Sequence, residues 1–170
     1  MLGQYADELS VSTRGRGVYE ITREVDGLVS ASGFSTGLAT LHVRHTSASL
    51  LIQENADPSV RTDLESIFSR LAPDADPVYE HNYEGDDDMS AHIRTALTNV
   101  NLSIPIADGS MVLGTWQGIF LWEHRTHPHT RQIHVHITGE PLTRGIVPDN
   151  TDWAENVFGW LIPMYMTQTP

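Results

Sequence analysis

Histidine is the side chain through which this sequence could do chemistry. Nine histidines stand beside ten arginines, no lysine and no cysteine, against 22 acidic residues, and the formal charge is −12 over 170 residues. Protonating every histidine would move that charge to −3, so imidazole governs the balance near neutral pH. Without cysteine there are no disulfides, thiolate metal sites or cysteine nucleophiles in the sequence. Without lysine there is no Schiff-base chemistry and no P-loop lysine. Imidazoles beside carboxylates remain, and together these ligate Zn, Mn or Mg in mixed sites.

Spacing sorts the histidines. In Ala39, Leu41, Val43, His45 the histidine falls on the apolar face of a strand, while His42 joins Thr40 and Arg44 on the other face, toward solvent. His134 and His136 alternate with Ile133, Val135 and Ile137. Two histidines so spaced can chelate a metal, but a solvated polar face is the plainer reading. His124 shares a strand face with Trp116, Phe120 and Trp122, and Glu123 and Arg125 point the opposite way with Ile119 and Leu121. That strand is apolar on both faces, hence central, and it ends in titratable residues. His127 and His129 flank Pro128 in an exposed turn.

The segment from Tyr79 to His92 is the most suggestive stretch. It holds His81, Glu84, Asp86, Asp87, Asp88 and His92, with Asp88 and His92 one helical turn apart. A metal site fits this spacing. So do plainer roles: Asp88 as a helix cap, three aspartates as a solvated turn, and His92 stacked on the Met89 and Ala96 edge. His45-Thr46-Ser47-Ala48-Ser49 sets three hydroxyls after a strand end, suited to a phosphate or carboxylate and equally to a turn between strands. Gly114-Thr115-Trp116-Gln117-Gly118 looks like a tight hairpin. No Walker, GxSxG or dinucleotide-binding pattern occurs.

These residues need elements to position them. Strands are expected over 18–22, 37–45 and 49–53, with a short helix over 24–30. Asp57-Pro58 opens a helix whose stripe is Val60, Leu64, Ile67 and Leu71. Residues 72–87 form a long loop, of a length that is commonly functional. A second long helix starts at an Asp88 cap with Met89, Ile93, Ala96 and Leu97 on one face. Strands follow over 102–106, 111–114, 118–124 and 132–138. The expected fold is α+β: one domain, largely antiparallel sheet layers with two to three helices. The acidic balance disfavours nucleic acid. The first residues lack the basic and apolar regions of a secretory signal, and no apolar run approaches the roughly 20 residues of a membrane span, so a cytoplasmic location is expected.

Taken in order, His45-Thr46-Ser47-Ala48-Ser49, Glu54-Asn55-Ala56-Asp57-Pro58, the block from His81 through Asp87-Asp88-Met89 to His92, Gly114 to Gly118, and Glu123-His124-Arg125 resemble the YjbQ-like family. This family is often labelled secondary thiamine-phosphate synthase. The match runs from about residue 4 to Glu140. The resemblance implies a domain over 1–140 that assembles as a homotrimer around polar, often metal-containing pockets. It implies coupling of a pyrimidine diphosphate to a thiazole phosphate with release of diphosphate, as a main or a side activity. Carried onto this sequence, His45, His81, His92 and His124 would hold a divalent metal. Arg125, Asp87, Asp88 and Glu54 would be catalytic, and Thr46, Ser47, Asn55 and Gln117 would hold a small phosphorylated substrate. Histidine-rich ligation suits Zn, then Mn, better than Mg. It leaves open metal-assisted hydrolysis, or a trimer that binds metal or ligand without turnover. Ser90 stands where the family usually has proline. Residues 141–170 extend past the usual end, with Trp153, Val157, Trp160, Leu161 and Met164 as an apolar stripe for packing on this domain or a neighbouring subunit.

Overall fold

A computed structural model of the chain describes residues 1–141; the expected packing of the extension falls outside the described residues. In chain order the elements are β1 (Gly3–Ser12), β2 (Gly17–Glu20), α1 (Thr22–Ser32), β3 (Phe34–Val43), β4 (Ala48–Glu54), α2 (Pro58–Leu71), α3 (Asp88–Leu97), β5 (Asn101–Ala107), β6 (Ser110–Met111), β7 (Gln117–Glu123) and β8 (Thr130–Pro141). They build two antiparallel sheets, one ordered β1-β8-β3-β5-β6 and one ordered β2-β7-β4. This is the α+β class with three helices.

Strict alternation makes the larger sheet. Ile133, Val135 and Ile137 of β8 are buried beside Ala39, Leu41 and Val43 of β3, and Ile104 and Ile106 of β5 extend the same face. Leu50, Ile119 and Leu121 of the smaller sheet join that core, with Val25 and Val29 of α1. The far face of β7 carries Phe120 and Trp122, which α2 covers. The Phe68 and Trp122 rings meet edge to face at 4.7 Å, and Trp122 Nε1 donates to Glu65 at 2.9 Å. Asp57 caps α2 by accepting from the Ser59 N–H at 2.8 Å, with Pro58 at the first helical position.

Several expectations change. β1 is absent from the expected strands: it is an edge strand with a mostly exposed pattern, recruited by ten residue pairs to β8. β3 ends at Val43, so His45 leaves the strand and is exposed rather than inward. Gly114–Gly118 forms a turn closed by Gln117, but it crosses between sheets instead of joining paired strands. The cap of α3 is Asp87, without a side-chain capping bond, and Asp88 is the first helical residue. The apolar stripes of α2 and α3 are incompletely covered: Ile67, Leu71 and Leu97 are exposed by 45, 61 and 59%.

Candidate metal centre

Helix α3 turns a polar side inward, where Asp88, Ser90 and Arg94 are buried with Ala91. Asp88 therefore reaches the interior end of the long loop, and His92 lies one turn further along the same face. His81 approaches from the loop. Its Nε2 stands 2.8 Å from Asp88 Oδ2, and His92 Nε2 stands 3.6 Å from Asp88 Oδ1. The two imidazole centroids are 5.3 Å apart, and one ligand atom from each of the three residues lies within 4.8 Å of the others. His92 Nδ1 lies 2.9 Å from the Thr46 carbonyl, which can only accept, so Nδ1 carries a proton and Nε2 is the ring nitrogen turned toward Asp88. Metal-ligating histidines use this same outer hydrogen bond to fix ring and tautomer. Asp88 Oδ2 is buried and accepts no hydrogen bond, with His81 Nε2 beside it at 2.8 Å. A buried oxygen without a donor, beside two imidazoles, fits a divalent cation.

Behind the centre, Arg125 is held by acids. Its Nη1 donates to Asp88 at 2.5 Å and to Glu84 at 3.4 Å, its Nη2 donates to the Glu84 carbonyl at 2.7 Å, and its Nε lies 3.3 Å from Asp87. Gly85, at φ +119°, makes the turn that delivers that carbonyl. Burial pushes the Asp87 carboxyl up, but hydrogen bonds from the Thr126 N–H and hydroxyl, together with Arg125, hold it down to about 2.

The remaining candidates are placed as follows. His124 is fully buried against Trp122, and its Nε2 bonds Ser49 Oγ, which sits 2.5 Å from Thr98 Oγ1. Burial first, and then the charges of Arg94, Arg16 and Arg131, depress its pKa to about 3, so it is neutral and outside the three-residue cluster. His45 Nδ1 pairs with Ser47 Oγ at 3.0 Å. Burial and Arg131 push this imidazole below its usual value. Ser47 is buried and accepts from Arg131 at 3.1 Å, while Thr46 contributes its carbonyl to His92. Glu54, Asn55 and Gln117 lie at the other end of the smaller sheet. Between Ala48↔Glu123 and Glu54↔Gln117 there are six register steps, roughly 20 Å of strand. Within one chain these three are not brought to the His81 cluster. A cleft of about 620 Å³ adjoins the cluster through His92 and is lined also by His42, Arg44, His45 and Thr46, with no carboxylate among its lining residues.

Sequence reasoning missed two networks. Glu123 and Arg131, both buried, pair at 2.5 Å across the two sheets, with Thr13 donating to Glu123 at 3.1 Å. The signal was present: Arg131 shares the inward parity of Ile133, Val135 and Ile137. Arg16 grips Asp74 with two bonds of 2.8 Å and donates to the His124 carbonyl at 2.9 Å, and the Ser90 hydroxyl reaches the same Asp74. No local pattern announces that second network.

Fold and site together define an α+β domain with a histidine–aspartate cluster at a helix start, and solved structures share the architecture. A YbjQ-like protein of unknown function from Sulfolobus solfataricus superposes with a TM-score of 0.76 at 28% identity, covering 82% of this chain and 100% of that one. A conserved hypothetical protein from Thermus thermophilus gives 0.68 at 38% identity, covering 76 and 97%. Residues 7–140 match the family model described as UPF0047 protein YjbQ-like, and the chain belongs to that family. Among its relatives are a UPF0047 protein of a Synechocystis strain, 51% identical over 81% of this chain and 93% of its own length, and YjbQ of Salmonella typhimurium, 44% identical over 80 and 99%. No described helix is long and apolar enough to cross a membrane.

Proposed function

We propose that this chain is a divalent-metal-dependent enzyme acting on a small phosphorylated substrate, with the ion held by His81, Asp88 and His92. The observation that carries this reading is the convergence of one ligand atom each from His81, Asp88 and His92 to within 4.8 Å of one another, beside a buried Asp88 Oδ2 that accepts no hydrogen bond. Two imidazoles and a carboxylate favour Zn, with Mn next. Such an ion would supply Lewis acidity, lowering the pKa of water and drawing charge from a phosphate oxygen. The chain's own residues do the rest. The Thr46 carbonyl orients His92, Arg125 holds Asp88 in place, and Arg44, paired with Glu8 at 2.8 Å, lines the adjoining cleft with His45.

Two reactions compete for this site. A thiamine-phosphate synthase-like transfer needs a cation and a free arginine to neutralise departing diphosphate. Arg125 is already engaged by Asp87, Asp88 and Glu84, which favours metal-assisted hydrolysis of a phosphoester and leaves the transfer as the second reading. A cytoplasmic homotrimer belongs to the same proposal, since exposed Ile67, Leu71 and Leu97 offer apolar surface to a neighbouring subunit and assembly could bring Glu54, Asn55 and Gln117 toward another copy's cleft.

Metal analysis combined with turnover of a phosphoester panel tests the reading. Wild-type protein should retain Zn or Mn and hydrolyse at least one phosphoester, and His92→Ala should lower both by about a hundredfold or more. Equal metal content in wild type, His81→Ala and His92→Ala would remove the site. Rescue of a thiamine-requiring strain lacking its synthase, without phosphoester hydrolysis in vitro, would instead select the transfer.

A further inference from the structure

The outer face of the five-stranded sheet carries an arrangement that the His81 cluster does not use. With Ile133, Val135 and Ile137 buried, His134 and His136 of β8 both face away from the core. β3 runs antiparallel beside them, and its register sets His42 directly across from His134, with Thr40 across from His136. Two residues beyond, the Arg44 N–H donates to the Gln132 carbonyl at 3.0 Å. Residues 42 and 134 are therefore also a directly hydrogen-bonded pair, a position with Cα atoms about 5.5 Å apart. The imidazole hydrogen bonds and ion pairs among the described residues belong to His45, His81, His92, His124, His127 and His129. The three imidazoles of the sheet face are thus uncommitted within that set.

We propose that His42, His134 and His136 form a second divalent transition-metal site, independent of the His81 cluster. A His-x-His pair on one strand with a third histidine across from it supplies three nitrogen donors of the type Zn prefers, and leaves a fourth position for water. The side chains do not now share one point as His81, Asp88 and His92 do, and the site closes by rotation about their χ1 and χ2 angles on a fixed backbone. Thr40, small and opposite His136, leaves room for that rotation. Glu8 flanks His134 from β1 and holds Arg44 at 2.8 Å, so the nearest cation is already neutralised. An ion there would tie β3 to β8 at the middle of the sheet, and so stabilise the native chain in proportion to its concentration.

Equilibrium dialysis of the full chain against Zn²⁺, followed by elemental analysis, tests this. Wild type should bind two ions per chain, His81→Ala/His92→Ala one, His134→Ala/His136→Ala one, and the fourfold variant none. His42→Ala alone should weaken the second site by about tenfold or more. Thermal unfolding supplies the second readout: Zn²⁺ should still raise the Tm of His81→Ala/His92→Ala, and circular dichroism verifies the fold of each variant. Unchanged stoichiometry in His134→Ala/His136→Ala, or an ion retained by the fourfold variant, overturns the proposal. A wild type that binds one ion, lost only in His134→Ala/His136→Ala, would uphold this site while removing the His81 cluster.

Discussion

A single proton separates the roles of His92 and His124. On His92 it sits at Nδ1 against the Thr46 carbonyl, and Nε2 is turned toward Asp88. On His124 the ring is sealed between Trp122 and Ser49, and burial keeps it neutral with a pKa near 3. In the unfolded chain the same imidazole titrates near 6.5. The unfolded state therefore binds the extra proton between these values, and stability falls as pH drops from about 6.5 toward 3. From pH 7 to 4.5 this one residue should cost about 2 to 3 kcal/mol. Urea melts at both pH values check it. His124→Asn should remove that share of the pH dependence, and parallel slopes in both proteins would contradict the assignment.

At the scale of the element, α3 shows why a hydrophobic stripe misjudged orientation. Met89, Ile93, Ala96 and Leu97 are the apolar positions, yet Asp88, Ser90, Ala91 and Arg94 are the buried ones. Arg94 donates to Glu65 at 2.6 Å and to Ser69 at 3.2 Å on α2, and Ser90 donates to Asp74 and to the Asp87 carbonyl. Charge-assisted bonds fix this helix, and their partners are far away in sequence. Ser90 also shows how the expected proline is accommodated, because first-turn N–H groups lack intrahelical partners. Ser90→Ala and Ser90→Pro should both keep the helix and both lose about 1 kcal/mol with the hydroxyl. Chemical denaturation measures this, and a neutral Ser90→Ala would mean that Arg16 alone satisfies Asp74.

For the whole molecule, the decisive contact is Glu123 with Arg131. One comes from each sheet and both are buried; Thr13 and the Arg125 N–H also donate to Glu123, and Ser47 accepts from Arg131. Removing one partner should strand a buried charge. Arg131→Met and Glu123→Gln are each expected to cost about 3 to 5 kcal/mol, and the double variant less than their sum. Additive losses in a double-mutant cycle would show that the pair does not act as a clamp. The alternation of β7 and β8 placed both residues on inward faces, so burial was legible. Their partnership was not, because the strands belong to different sheets.

Local periodicity and family motifs determined the α+β class, most strands and the Asp57-Pro58 start of α2. These follow from interactions between near neighbours in sequence, which repeat with the period of the element. β1 escaped because an edge strand needs little apolar surface and takes its register from β8. Only the tertiary structure decided which histidines converge. It gathered His81 and His92 on Asp88, sealed His124 behind them, turned His45 outward, and left Glu54, Asn55 and Gln117 at the opposite strand end. The reason is physical: a ligand set is fixed by distances of a few ångströms between residues far apart in the chain, and spacing along a strand or helix carries no record of those distances.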